Sequence, residues 1–172
     1  MVSALVHFLE TNAFSEWVLV SPWGFPWLIA LHSVGMGIAA GLGSAVVLRA
    51  TGALLGIPAS ALPRLFAVAW AGFVLNLVTG FILLVTRVSE YLSDPTFLVK
   101  MAAVIVAALC LRRMQAVWQT PQGSKLSGTD EHSLEESRCV PTLKTFAYAS
   151  ITAWAVAVAA GRWIAYLSGM YG

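Results

Sequence analysis

The chain has 172 residues, of which 59% are hydrophobic and 10% are charged, and its mean hydropathy is +0.80. Soluble domains carry about 25% charged residues, so this composition excludes a water-facing globular domain and indicates a protein that contacts the lipid bilayer. The formal net charge of +2 is small and the basic residues are scattered, so nucleic acid is not an expected partner. The length fits a single membrane domain over residues 1–172.

The N-terminal segment, residues 4–20, is too short and too interrupted by polar residues to cross a bilayer. Its apolar residues can share one stripe of a helix, which indicates a helix that lies in the membrane interface. The sequence SPWGFPW follows, and its prolines and glycine end that helix. It also places Trp23, Phe25 and Trp27 at the depth of the lipid headgroups, where aromatic belts form.

The first predicted span, residues 27–48, is the most informative stretch. Its twenty-two residues carry no formal charge, and at about 1.5 Å per residue they can cross a hydrocarbon core of about 30 Å. His32 is its only ionisable side chain. Small residues allow neighbouring helices to approach closely, so two ridges of them predict a helix inside a bundle. The ridges are Gly37 with Gly41, and Gly35 with Ala39 and Gly43.

Three further apolar spans are predicted, over residues 65–86, 96–111 and 146–167. A Gly- and Pro-rich turn region joins the first span to the second, and a short loop joins the second to the third. Residues 114–143 are polar and predict a mobile loop before the fourth span. The sequence therefore predicts an all-α integral membrane four-helix bundle with an N-terminal interfacial helix.

The basic residues predict the orientation of this bundle. Two loops, the first-to-second and the third-to-fourth, should be cytoplasmic because Lys and Arg accumulate on that side. Both termini then lie on the outer, periplasmic side. These loops hold seven of the ten basic residues: Arg49, Arg64, Arg112, Arg113, Lys125, Arg138 and Lys144.

This orientation brings polar groups from all four spans into the outer third of the bundle. They are His32 on the first span, Asn76 and Thr79 on the second, Lys100 on the third and Arg162 on the fourth. Ionisable residues inside a membrane are costly and usually face the bundle interior, a partner or a cavity. The economical interpretation is one binding site that faces the periplasm and is built from these five residues.

Each candidate also has a purely structural interpretation. His32 can ligate haem or copper as a neutral imidazole, or it can hydrogen-bond Asn76 or a backbone carbonyl and lock the bundle. Met36 lies one turn along and can join His32 in a copper site, or it can simply pack. Because these two residues share a face, they cannot be opposite axial ligands of one haem. Lys100 and Arg162 can extend to the headgroups, and Asn76 can join two helices.

Seven short motifs lie along nearly the whole chain outside residues 114–143. They are FLE, SPW, LHSVGMG, LRATGALLG, AWAGFVLNLVTG, DPTFLVK and AWAVAVAAGRWIAY. Together they resemble a family of small bacterial four-helix membrane proteins, defined only as a domain of unknown function (number 6644). The resemblance implies a bacterial inner-membrane protein and carries no established chemistry. One departure is Val47, where the family pattern implies an acidic residue. The family's histidine, TG pair, lysine and GR pair map onto His32, Thr79 and Gly80, Lys100, and Gly161 and Arg162.

The chain is also similar, more weakly, to the copper-resistance D type of membrane domain and, through it, to four-helix b-type cytochromes. The shared features are the number of helices, a first-helix histidine and a lysine that opens a helix. Di-haem cytochromes need two histidine pairs inside the bundle, and the single intramembrane histidine excludes that form. One haem would need an unusual second ligand, a five-coordinate iron, or His32 from another subunit.

These observations leave three functions open. The first is a redox or metal-handling subunit in which His32 binds haem b or copper, while Lys100 and Arg162 neutralise propionates or the acids of a periplasmic partner. The second is a non-catalytic membrane anchor or partner-binding subunit. The third is a small proton-coupled transporter, which would have to form a homo-oligomer. No hydrolytic or phosphate-binding motif occurs, so no catalytic residue is predicted and the chain is not expected to be an enzyme on its own.

Overall fold

The structure, a computed structural model, describes residues 2–50, 54, 56–119 and 141–170. Within these ranges the chain is helical and contains no strand, which confirms the all-α prediction. A short 3-10 helix, Ala59–Ala61, precedes the fourth α-helix. The described α-helices are α1 Val2–Glu10, α2 Ala13–Val20, α3 Gly24–Ala50, α4 Leu62–Thr86, α5 Val88–Ser93, α6 Pro95–Trp118 and α7 Pro141–Met170.

Three of these helices are long enough and apolar enough to cross a membrane. Their outward faces carry large apolar side chains that are more than half exposed, such as Leu77 and Leu109. Lipid suits such a surface better than water does. The spans are Gly24–Arg49, Leu62–Thr86 and Pro95–Val117.

Four long helices form two closely packed antiparallel pairs, α3 with α4 and α6 with α7, and α3 also packs against α7. Glycines allow the backbones of α3 and α4 to touch. A Cβ added at Gly35 would lie 2.7 Å from the backbone nitrogen of Asn76, and one added at Gly72 would lie 2.5 Å from Ile38 Cγ2. A side chain at either glycine would therefore force the two helices apart.

The two small-residue ridges of α3 have different surroundings. Gly35, Ala39 and Gly43 are buried, and Gly43 packs against Trp154 of α7. Gly37 and Gly41 are exposed, and within the described part of the chain nothing lies within 4 Å of a Cβ added at either one. The first ridge therefore packs against the neighbouring helices, and the second faces outward, so α3 is not enclosed on all sides.

The core that joins the two helix pairs has two layers. Near the end of α3 it is built from large apolar residues, and further along the bundle it consists of alanines around Trp154, which is 3% exposed. The first layer contains Val46, Val47, Leu62, Phe66, Ala69, Leu111, Met114 and Ala147.

The prediction of one helix over residues 4–20 is wrong, because α1 and α2 are separate helices. Asn12 Oδ1 accepts a hydrogen bond from the Ser15 amide at 2.9 Å and thereby caps α2. The Ser15 hydroxyl donates to the Leu9 carbonyl at 2.8 Å. Asparagine favours a helix cap over a helix interior, so the break falls at Asn12.

The third predicted span ends too early, at residue 111, because α6 continues to Trp118. Met114 is completely buried, and Gln115 Oε1 accepts a hydrogen bond from Trp70 Nε1 at 2.8 Å. The inward face of the helix thus continues past Arg112 and Arg113, which follow the predicted end of the span.

The two long connections are described in part. At the end of α3 the Arg49 side chain is buried, and its Nε donates to the Ile57 carbonyl, which closes the turn towards α4. The predicted mobile loop over residues 114–143 overlaps the ends of α6 and α7, and its residues 120–140 lie outside the described residues.

The glycine contacts predict unequal effects of four alanine substitutions. We expect Gly35→Ala and Gly72→Ala each to lower the free energy of unfolding by about 1–3 kcal/mol, because the new Cβ must displace packed atoms. Gly37→Ala and Gly41→Ala should stabilise the protein by up to about 1 kcal/mol, because alanine is the better helix former. Denaturation in detergent micelles, followed by circular dichroism, measures these changes. Equal effects at all four positions would contradict this packing.

Candidate functional site

The His32 side chain faces α4 and is held there at one ring nitrogen. Its Nδ1 lies 3.0 Å from the Asn76 carbonyl oxygen and 3.1 Å from Thr79 Oγ1. The Thr79 hydroxyl donates its own proton to the Leu75 carbonyl at 2.7 Å, so it is free to accept. A third neighbour of Nδ1, Asn76 Nδ2, is a donor at the longer distance of 3.3 Å. The two nearest neighbours of Nδ1 are acceptors, and from them we assign the proton to Nδ1 and the lone pair to Nε2.

Asn76 on α4 also donates a hydrogen bond to α3. Its Nδ2 donates to the His32 carbonyl oxygen at 2.8 Å. Asn76 is buried, and its amide also lies 3.4 Å from His32 Nε2, a long distance for a hydrogen bond. Each of the two residues thus gives a side-chain donor to the other's backbone carbonyl. We call this reciprocal pair of hydrogen bonds the His32–Asn76 clamp.

Gly80 provides the space that the imidazole occupies. A Cβ added at Gly80 would lie 2.8 Å from His32 Cε1 and 3.3 Å from His32 Nδ1. Gly80 belongs to the TG pair singled out by the family resemblance, but the residue types alone gave no reason to include it in the site. The available signal is its position four residues after Asn76, on the same face of α4.

Lys100 lies on the other helix pair and faces the same polar region. A Cβ added at Gly161 of α7 would lie 3.5 Å from Lys100 Nζ and 3.6 Å from Lys100 Cε, so the side chain runs along the α7 backbone. Lys100 is half-buried near the start of α6. Among the described residues the one ion pair is Arg87 with Glu90, at 3.2 Å, so Lys100 has no carboxylate partner there.

The other two predicted site residues lie outside this cluster. Arg162 is exposed, although the adjacent Gly161 contacts Lys100. Met36 is half-buried one turn after His32. In the part of the chain that the structure describes, no group of three or more His, Cys, Asp or Glu side chains could hold a metal ion. The structure therefore joins His32, Asn76 and Thr79 directly and adds Lys100 from the facing helix pair.

No protein-family model, curated protein or solved structure matches this chain. The resemblance to the uncharacterised membrane family, and the weaker likeness to copper-resistance and b-type cytochrome domains, stay predictions from sequence motifs. Function must therefore be inferred from the chemistry of the site itself.

Gly80→Ala tests the position of the ring without removing the imidazole. We expect the new Cβ to displace His32 and break its bond to the Asn76 carbonyl, at a cost of about 1 kcal/mol or more in stability. Nitrogen NMR of histidine-labelled protein would report the loss of the hydrogen-bonded Nδ1–H signal. Gly161→Ala is the matched control, because its Cβ would make only an ordinary contact with Lys100. An unchanged His32 signal in Gly80→Ala would contradict the assigned geometry.

Proposed function

We propose that the protein is an integral membrane subunit that binds haem b at His32 and takes part in electron transfer. The observation that carries this proposal is the 3.0 Å hydrogen bond between His32 Nδ1 and the Asn76 carbonyl. Histidines that ligate a metal usually donate their other ring N–H to a carbonyl or carboxylate, which fixes the tautomer and presents the remaining nitrogen to the metal. In His32 the presented nitrogen is Nε2.

The available donor atoms favour haem over a bare copper ion. Copper held by His32 and Met36 would need further protein ligands, and among the described residues no group of three His, Cys, Asp or Glu side chains supplies them. A haem brings four nitrogens of its own, so one imidazole suffices as its protein ligand. The group would supply a one-electron centre, and the clamp would fix the imidazole that holds it.

Lys100, on the other helix pair, also favours haem as the ligand. Haem carries two propionate groups, and a half-buried ammonium without a carboxylate partner in the described chain suits such an anion. His32 and Lys100 belong to different helix pairs, so a ligand that contacts both would bridge α3–α4 and α6–α7. Arg162, exposed beside Gly161, is a second cation at the rim of this site.

We further propose that α7 is a fourth spanning helix and that both termini lie on the periplasmic side of a bacterial inner membrane. The packing of α7 against α6 and α3 supports the first point. The concentration of basic residues in two loops supports the second. Trp17, Trp23 and Trp27 are 60%, 71% and 61% exposed, which suits an N-terminal segment at headgroup depth. The site would then face a periplasmic redox partner.

A membrane anchor without a cofactor is the second candidate. The His32–Asn76 clamp favours it, because the two residues satisfy each other's polar groups without a ligand. The clamp gives no role to the Nε2 lone pair or to the Lys100 ammonium. We therefore rank the anchor below the haem-binding subunit.

Absorption spectra of detergent-purified protein, expressed with haem precursor in excess, test the proposal. We expect a Soret band that His32→Ala abolishes, because the residue that would hold the haem is lost. His7→Ala is the matched control and should keep the band, since His7 is exposed on α1. A folded but colourless wild-type protein would overturn haem binding and leave the anchor. Bound copper in place of haem, found by metal analysis, would also overturn it.

The role of Lys100 predicts a shift in redox potential. Removing a nearby positive charge disfavours the reduced iron, so Lys100→Met should lower the midpoint potential by tens of millivolts, on the order expected for one charge across a partly hydrated interior. Arg113→Met, at the exposed opposite end of α6, should leave the potential unchanged. Spectroelectrochemical titration measures both. Equal potentials in the two variants would remove Lys100 from the site.

A further inference from the structure

The N-terminal helices pack against α3, α4 and α5 at the end of the molecule that contains His32. α1 packs against α4 and α5, and α2 packs against α3 and α4. The short turn before Gly24 connects α2 to the start of α3, and α5 follows the end of α4. Since His32 is in the first half of α3 and Thr79 is in the second half of α4, α1 and α2 lie at the same end of α3 and α4 as these two residues.

Two kinds of contact hold α1 and α2 in place. On α2, Val18 and Ser15 are 3% and 0% exposed. On α1, Glu10 Oε1 accepts hydrogen bonds from the Ser89 amide at 2.8 Å and from the Ser89 hydroxyl at 2.6 Å. Glu10 and Ser89 are 79 residues apart in the sequence, so this contact ties the N-terminal segment to the connection between α4 and α6.

We propose that Glu10 and Ser89 form a latch that holds α1 and α2 as a lid over the His32 site, and that protonation of Glu10 opens the lid. The latch is inferred from the Glu10–Ser89 hydrogen bonds alone. Its role as a gate for haem rests on the proposed function.

The charges around the latch set the direction of its pH dependence. The Ser89 hydroxyl and then the Ser89 amide lower the pKa of the Glu10 carboxyl, because both donate to its charged form. A lowered pKa means that the latch is intact above the ordinary carboxyl pKa and is lost as the pH falls through the lowered value. The other titratable groups on the elements around it are His7, which lowers the pKa of Glu10 further, Glu16 on α2, the Arg87–Glu90 ion pair, and Tyr91.

Cysteine labelling of the full-length protein measures opening of the lid. Val18→Cys and Val20→Cys are placed singly in a background without Cys110 and Cys139. Val18 is 3% exposed and Val20 is 82% exposed on the same helix. The ratio of their labelling rates with a maleimide at neutral pH, and with 4,4′-dithiodipyridine, which also modifies thiols in acid, therefore reports lid opening.

At neutral pH we expect Glu10→Gln and Ser89→Ala to raise this ratio roughly threefold or more, as loss of an exposed charge-assisted contact would. Glu16→Gln is the matched control and should leave it unchanged, since Glu16 is an exposed acid on α2. Acidification below about pH 4, near the ordinary carboxyl pKa, should raise the ratio in the wild type but not in Glu10→Gln.

Access to the site is measured at neutral pH by carbethoxylation of His32 with diethyl pyrocarbonate, quantified by peptide mass spectrometry. We expect Glu10→Gln to raise the rate at His32 in parallel with Val18→Cys labelling. An unchanged labelling ratio would overturn the latch, and faster labelling with unchanged His32 modification would overturn the gate. Neither readout needs haem, so either failure is distinguishable from the absence of a Soret band.

Discussion

The close approach of α3 and α4 is the constraint on which the site depends. Lipid tails are as apolar as leucine side chains, so helices in a bilayer associate through small residues and interhelical hydrogen bonds. Gly35 and Gly72 remove side chains where the two backbones cross. Only at that separation can His32 reach the Asn76 carbonyl while Asn76 reaches the carbonyl of His32. The geometry of the polar site is therefore a consequence of packing one turn away from it.

The two ends of the bundle differ in chemistry because the polar groups are distributed unevenly. The end of α3 beyond Gly43 packs in a layer of large apolar residues, and the buried Arg49 there is used to close a turn. At the opposite end an imidazole on α3 and an ammonium on α6 belong to different helix pairs. A positive charge in a low-dielectric interior is costly unless it is paired. Among the described residues Lys100 has no carboxylate partner, and the proposed function gives it an anionic one.

Sequence reasoning predicted the elements with a strong physical signal. Long apolar runs predicted three helices that can span a membrane, and the cost of buried polar groups predicted the meeting of His32, Asn76 and Thr79. The predictions failed where one local sequence pattern is compatible with two different arrangements. A GxxxG pattern marks a possible contact but not its partner, so the exposed Gly37 could not be distinguished from the buried Gly35. The sequence also did not predict that Gly80 makes room for a side chain, because that space is filled by the His32 ring from another helix.

The residue types at the site support the proposed binding role over a merely structural one. A structural clamp needs one donor for the Asn76 carbonyl, and a serine or an asparagine could provide it. Histidine provides that donor and also a lone pair on the other side of the ring. Lys100 adds a charge that takes no part in the clamp. The clamp uses neither His32 Nε2 nor the Lys100 ammonium. Nε2 can bind an electrophilic centre such as a metal, and the ammonium can bind an anion. One ligand that carries both features would satisfy them together, and haem is such a ligand.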